Sequence, residues 1–101
     1  MRRYMILNEA DNVAVALTGL QRGETLEIEE RGAAVTLASD IPFEHKFALA
    51  PIPSGALVVK YGLPIGEATR DIAPGEHVHL HNLRTRMADY ASGGESWSNR
   101  A

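Results

Sequence analysis

The 101-residue chain contains no cysteine. Disulfide bonds are therefore excluded, but this absence fixes no compartment, because many proteins on either side of a membrane also lack cysteine. Long apolar runs are missing too. After Arg2 and Arg3, polar residues interrupt the N-terminal stretch before it could form a signal-peptide core, and no later run approaches membrane-spanning length. We therefore expect a cytoplasmic protein with no membrane partner.

Positive charge is scarce as well. Ten Lys and Arg residues stand against thirteen Asp and Glu residues, which gives a formal net charge of -3 at pH 7. Binding to nucleic acid requires a concentrated basic patch, so the sequence predicts no nucleic-acid partner. Hydrophobic residues make up 45% and charged residues 23% of the chain, as is usual for one small folded domain. Such a domain is too short to enclose an active site under a lid.

Sustained helical periodicity is also missing, and a repeat is present instead. The segments 16-ALTGLQRGETL-26, 48-ALAPIPSGALV-58 and 68-ATRDIAPGEHV-78 share Ala at the first position, Leu or Ile at the fifth, Gly at the eighth and Leu or Val at the last. Each copy predicts the end of one strand, a tight turn near the glycine and the start of the next strand. The alternating stretch 25-TLEIEERGAAVTLAS-39 is typical of a hairpin that turns at Arg31-Gly32. The sequence therefore predicts an all-β domain.

The last residues differ in composition from the rest. We expect the β-rich domain to span residues 1-85 and a polar tail to span residues 86-101. The tail is rich in glycine and serine around a single tryptophan, Trp97. This composition favours a segment that is mobile or docked on a partner, outside the core.

Three of the four histidines stand at alternate positions in 75-GEHVHLHN-82. In a β-strand, His77, His79 and His81 would share one face, while Val78 and Leu80 would face the core. Spacing alone is equally consistent with a solvated face that has no function. Imidazoles at i and i+2 can share a divalent metal of the iron, zinc or manganese type, so His79 and His81 are candidate ligands. The classical zinc spacings are absent.

Other polar residues stand close to predicted strand ends. Asn82 could orient a hydroxyl group or a metal-bound water, although simple turn chemistry also explains an asparagine there. His45, Lys46 and Lys60 are cationic donors suited to a carboxylate. A solvated side chain is nevertheless the commoner outcome for a lone lysine.

The run 45-HKFALAPIPSGALVVKYGLPIGEATRDIAPGEHVHLHNLRT-85, with 11-DNVAVAL-17 upstream, resembles the amino-terminal domain of altronate dehydratase and related sugar-acid dehydratases. The same domain occurs in that family as a separate subunit, as in the small subunit of sulfolactate sulfo-lyase. The resemblance implies the β-clip fold of the SAF domain group. One departure is Glu44, because the family commonly has glycine before the His-Lys pair.

The resemblance also implies a reaction, in which the whole enzyme eliminates a β-substituent from a hydroxy-carboxylate. Such chemistry needs a base for the α-proton, and a metal ion or cationic donors for the charged intermediate. The resemblance makes six residues the catalytic candidates, three leading and three supporting: His79, His81 and Asn82, then His45, Lys46 and Lys60.

In two-domain relatives, most of the chain follows this domain. The resemblance therefore implies a separate large catalytic subunit as the partner, a sugar acid as the substrate and a divalent metal, iron or similar, in the full complex. We expect the small chain to be inactive by itself. The alternatives are the small subunit of a sulfolactate sulfo-lyase and a non-catalytic SAF-type binding module.

A domain that completes another chain's site should expose an apolar rim. Phe43, Phe47 and Tyr61 are the predicted rim residues. The isolated chain is then expected to form a homo-oligomer through the surface meant for its partner.

Overall fold

A computed structural model of the chain describes residues 2–85. In this range the strands, in chain order, are β1 (Tyr4–Met5), β2 (Val13–Ala16), β3 (Thr25–Ile28), β4 (Ala33–Thr36), β5 (Lys46–Ala48), β6 (Leu57–Lys60), β7 (Leu63–Ala68), β8 (His77–Val78) and β9 (Leu83–Thr85). The described range contains no helical element besides the 3-10 turn Glu29–Arg31. The prediction of an all-β domain of the β-clip type is confirmed. The predicted tail, with Trp97, lies outside the described residues.

The strands form three antiparallel sheets within residues 2–85. The central sheet has the strand order β1-β2-β5-β8, β3 pairs with β4, and the third sheet has the order β6-β7-β9. The β3-β4 hairpin turns at Arg31-Gly32 as predicted, and Gly32 has a φ angle of 61°. In the same range, no helix is long and apolar enough to cross a membrane.

The three-copy repeat is a structural unit. Each first-position alanine is buried and is the last residue of a strand: Ala16, Ala48 and Ala68. The eighth-position glycines have φ angles of 92°, 86° and 82°, a region that side chains rarely adopt: Gly23, Gly55 and Gly75. The last position of each copy is buried in the next strand: Leu26, Val58 and Val78. The predicted sequence of strand end, turn and strand start is therefore confirmed in all three copies.

A fourth copy, 37-LASDIPFEHKF-47, is present in the structure but was not evident in the sequence. Its fifth residue, Ile41, pairs with Leu20 of the first copy through an isolated bridge, as Ile52 pairs with Ile72. Its eighth residue is Glu44, whose φ angle of 70° matches the glycines of the other copies. Because glutamate replaces the expected glycine, the sequence pattern concealed this copy.

The four copies form two equivalent pairs, which we call the first clip (16–26 with 37–47) and the second clip (48–58 with 68–78). In each clip, the eighth residue of one copy donates its N–H to the first-position carbonyl of the other, always at 2.8 Å: Gly23 to Leu37, Glu44 to Ala16, Gly55 to Ala68 and Gly75 to Ala48. A fourth-position aspartate also accepts a backbone N–H at 2.9 Å in each clip: Asp40 from Arg22, and Asp71 from Ser54. The domain is thus built from two structurally equivalent halves.

The central sheet lies between two apolar cores. Ala14 and Phe47 point into the first core, whereas Val13, Ala48 and Val78 point into the second. Alternate side chains of β2 and β5 therefore serve opposite cores, as strand geometry requires. Phe47 is fully buried, so its predicted place on an exposed rim is wrong. The predicted rim residues Phe43 and Tyr61 are 57% and 67% exposed.

Glu44 provides a test of the fourth copy. Its left-handed backbone is unfavourable for a side chain by roughly 1–2 kcal/mol, and part of this is offset by the greater freedom of glycine in the unfolded chain. We expect Glu44→Gly to raise the free energy of unfolding by about 1 kcal/mol in urea titrations followed by circular dichroism.

The matched control is Glu9→Gly, at an exposed turn residue whose φ angle is not positive. Here glycine gains nothing in the folded state, so stability should fall by about 0.5 kcal/mol. An equal loss of stability in both variants would show that the backbone at Glu44 is not strained.

Candidate functional site

The pairing of β5 with β8 brings distant histidines together. Phe47 lies opposite His77 in this antiparallel pair, so His45, one residue before β5, lies beside the end of β8. The Nδ1 atom of His45 is 2.8 Å from the Nε2 atom of His77, and one of the two nitrogens donates a hydrogen bond to the other. Two residues that are 32 positions apart in the sequence thus share one polar cluster.

His79 completes this cluster. The ring centroids of His45 and His79 are 4.5 Å apart, and the rings of His77 and His79 are stacked with an interplanar angle of 11°. One ligand nitrogen from each of the three rings lies within 4.8 Å of the other two. We call His45, His77 and His79 the imidazole cluster. Its donor set suits a divalent ion of the iron or zinc class.

The predicted strand face is only partly present. β8 ends at Val78, which is fully buried as predicted, and the chain then turns through residues 79–82. Leu80 is 71% exposed, so its predicted place in the core is wrong. His81 is also exposed. Its ring is tilted against that of His77, and the two ring centroids are 5.5 Å apart. The structure therefore groups His79 with His45 and His77, whereas the predicted metal pair was His79 with His81. Alternation fails because strand geometry stops one residue before His79.

Asn82 is fully buried and supports the turn from within. Its Oδ1 atom accepts a hydrogen bond from the His79 N–H at 3.0 Å, and its Nδ2 atom donates to the His77 carbonyl at 2.9 Å. Its own carbonyl accepts from the Thr69 N–H at 3.0 Å. Both polar atoms of the side-chain amide bind backbone groups, so the amide holds the histidine turn in place. The structure thus gives Asn82 a positioning role, and its predicted part in catalysis stays a prediction.

The surroundings favour the neutral form of two rings of the cluster, His77 and His79. Burial lowers the pKa of His77 to about 4, and the neighbouring His45, His79, His81 and Lys46 contribute to the same shift. Burial and the adjacent His45 also lower the pKa of His79. Neutral imidazoles retain the lone pair that a metal ligand or a general base requires. These two rings are therefore available for such chemistry near pH 7.

A groove of about 310 Å³ adjoins the imidazole cluster, with His79 in its wall. Its lining also contains two lysines and four other residues: Lys46, Lys60, Ile65, Leu80, Leu83 and Thr85. Burial, followed by the charge of Lys60, lowers the pKa of Lys46. Within residues 2–85, the ammonium group of neither lysine forms an ion pair or a hydrogen bond. We call this feature the lysine groove, and its charge suits an anionic group.

A larger hollow of about 460 Å³ lies elsewhere on the second clip. Prolines and the bridging Ile52 and Ile72 line most of it. Its two carboxylates, Asp71 and Glu76, already accept backbone N–H groups of Ser54 and Ala73. This hollow therefore offers few free polar atoms, and the chemistry of the lysine groove makes the groove the better candidate.

Comparison with known proteins gives a consistent result. Residues 2–86 match the family model of the altronate/galactarate dehydratase SAF domain. The chain is 49% identical over 87 residues to altronate dehydratase of Escherichia coli strain K12, covering 86% of this chain but 17% of that protein. It is 40% identical over 89 residues to altronate dehydratase of Bacillus subtilis strain 168, covering 88% and 18%. The chain thus spans less than a fifth of these enzymes.

A shorter relative matches almost end to end. The chain is 30% identical over 87 residues to the (2R)-sulfolactate sulfo-lyase subunit alpha of Chromohalobacter salexigens, covering 80% of this chain and 93% of that subunit. The same domain therefore exists both as part of a long enzyme and as a small separate subunit.

The role of Asn82 can be tested directly. Asn82→Ala leaves the His77 carbonyl and the His79 N–H without their partner, which should lower the free energy of unfolding by about 2 kcal/mol. It should also abolish the nuclear Overhauser contacts between the rings of His45 and His79.

The control for a general loss of stability is Val78→Ala, which removes core volume but keeps the turn. It should destabilise the domain by about 1–2 kcal/mol while the ring contacts persist. Unchanged ring contacts in Asn82→Ala would show that the amide does not position the histidines.

Proposed function

Because the chain belongs to the altronate/galactarate dehydratase SAF domain family, we propose that it is the small subunit of a sugar-acid dehydratase, a carbon-oxygen lyase. The family resemblance predicted from the sequence is confirmed, and the relatives are named as a dehydratase and a sulfo-lyase, which supports a lyase-related role. The observation that carries the proposal is the junction of three stacked imidazoles with a groove that holds two lysines whose side chains have no ion pair within residues 2–85. The cytoplasmic location expected from the sequence remains part of this proposal.

The proposed partner is a separate large catalytic subunit. The chain matches less than a fifth of each altronate dehydratase, so most residues of those enzymes lie outside the matched region. The sulfo-lyase relative is itself named a subunit and is nearly matched in length. A chain with an open groove on its surface would then supply one wall of a site that the partner closes.

The lysine groove is the proposed binding place for the acid group of the substrate. Lys46 and Lys60 can each donate hydrogen bonds to a carboxylate, and they have no competing acidic partner within residues 2–85. Elimination builds negative charge on the substrate's carboxylate side as the α-proton leaves. Fixed cationic donors at that point stabilise the transition state more than the ground state.

The imidazole cluster fits a divalent metal, since His45, His77 and His79 bring three nitrogens together and burial keeps His77 and His79 neutral. We assign these three residues as the ligands. A bound ion would supply Lewis-acid stabilisation of the developing negative charge. His81 stands outside the cluster and is exposed, so a bound substrate could reach its ring nitrogens. We assign it the role of acid or base.

A second candidate function is the small subunit of a sulfolactate sulfo-lyase. The 93% coverage of that relative favours it, because the match extends over almost the whole subunit. Both reactions remove a β-substituent from an acid, so the same groove and cluster serve either. A non-catalytic binding module is less well supported, since binding alone makes no use of neutral imidazoles stacked beside unpaired lysines.

Metal binding is the first test. Purified chain titrated with Co²⁺ or Zn²⁺ should bind one ion, and His45→Ala should weaken the affinity more than about tenfold. His81→Ala should have little effect, because His81 is not a ligand, and circular dichroism should show that both variants remain folded. Absence of binding, or equal weakening by both variants, would contradict the ligand assignment.

Activity is tested in a hybrid enzyme. The whole chain replaces the matching region of Escherichia coli altronate dehydratase, and altronate dehydration is measured. We expect activity in this hybrid and none in the chain alone. His81→Ala should reduce turnover on the order of a hundredfold, whereas Gln21→Ala, at an exposed residue of the first clip, should change nothing. Full activity of the His81 variant would overturn its assigned role.

A further inference from the structure

The tip of the β6-β7 hairpin has an unusual backbone. Lys60 pairs with Leu63, so Tyr61 and Gly62 form a two-residue loop. Both loop residues have positive φ angles, 61° and 74°, as in a type I′ turn. Such turns favour Asn, Asp and Gly, and a bulky residue in this region is a genuine outlier. Tyr61 is therefore held in a conformation that its side chain disfavours.

Surrounding contacts hold this conformation in place. The Gly62 N–H donates to the carboxylate of Asp11 at 2.8 Å, and Asp11 is buried. The amide of Asn12 accepts from the Val59 N–H at 2.8 Å and donates to the Leu57 carbonyl at 3.0 Å. The neighbouring loop therefore fixes the hairpin from its side. Strain that a structure fixes in this way is typical of functional positions.

The strained residue has no partner of its own. The Tyr61 side chain is 67% exposed, and it makes no hydrogen bond or ring contact within residues 2–85. Leu63, across the same turn, is 58% exposed. Leu80, which lines the lysine groove, is 71% exposed. We call Tyr61, Leu63 and Leu80 the tip patch. Leu80 lines the groove itself, Tyr61 follows the groove residue Lys60 in the chain, and Leu63 pairs with Lys60 across the hairpin.

We propose that the tip patch, anchored by Tyr61, is the docking surface for the larger catalytic chain. This inference rests on the proposed function, which requires a partner that covers the lysine groove. Tyrosine is enriched among the residues that dominate interface energies, and its ring loses little freedom when it is buried. Lys46 and Lys60 add charge complementarity. Neither lysine has an ion pair within residues 2–85, so a partner surface that covers the groove must present acidic groups or enclose the substrate's carboxylate there.

Replacing Tyr61 with asparagine separates structure from docking, because the two effects have opposite signs. Asparagine tolerates the left-handed backbone, so Tyr61→Asn should raise the Tm of the isolated chain by roughly 4–8 °C. In the hybrid enzyme, the same variant should lower altronate turnover at least tenfold. It should also increase hydrogen exchange at residues 57–67 relative to the wild-type hybrid.

Two controls define the cause. Tyr61→Phe keeps the ring and should retain most of the activity, with an unchanged Tm. Leu17→Ser, at an exposed apolar residue of the first clip, should leave exchange at residues 57–67 unaltered. Hydrogen exchange in the hybrid is measured independently of turnover, so it tests docking even if the proposed chemistry is wrong. The His81→Ala variant tests the chemistry separately.

The inference is overturned if Tyr61→Asn lowers the Tm of the isolated chain. It is equally overturned if the Tyr61→Asn hybrid keeps the wild-type protection from hydrogen exchange at residues 57–67. It is also overturned if the isolated chain forms dimers in sedimentation experiments that Tyr61→Asn abolishes while the hybrid is unaffected. That result would assign the patch to a second copy of this chain, as the expected self-association predicts.

Discussion

The pairing of β5 with β8 is the constraint on which the candidate site depends. Both strands are buried, because Phe47 packs into the first core while Ala48 and Val78 pack into the second. A slip of one residue would move Phe47 out of its core, so the register is fixed. The approach of His45 to His77 follows from that register. Packing therefore holds the imidazoles together although their burial removes them from water. The same burial is the main cause that lowers the pKa of His77 to about 4.

The two clips share a scaffold but differ where the site lies. At the ninth position of their copies, Glu24 and Glu76 accept the backbone N–H groups of Gln21 and Ala73 and so stabilise their turns. The fourth copy has His45 at this position, directly after the strained Glu44. The turn of the fourth copy thus has neither the glycine of the other three copies nor the capping carboxylate that two of them have. A strained backbone residue therefore lies next to an imidazole of the cluster, as is common at functional sites.

Local signals in the sequence predicted most of the fold, whereas the site depended on contacts that are not local. Turn glycines and alternation are read within about ten residues, so the hairpin and three copies were predictable. The fourth copy was not, because Glu44 replaces the glycine that marks the others. The contact of His45 with His77 depends on strand register across 32 residues. Leu80 was misplaced because the buried amide of Asn82 turns the chain just after β8.

Under the proposed function, the charge of the lysine groove explains why the domain would bind an acid or a partner. Lys46 and Lys60 face one groove, and their repulsion contributes to the lowered pKa of Lys46. A ligand or partner surface that brings negative charge removes this repulsion, so its binding also stabilises the folded domain. The same negative charge would compensate a divalent ion bound at the imidazole cluster, because the three cluster residues include no carboxylate. Under the proposed function, binding of an acid, binding of a metal and docking of a partner would therefore favour one another, because each is linked to the uncompensated positive charge of this region.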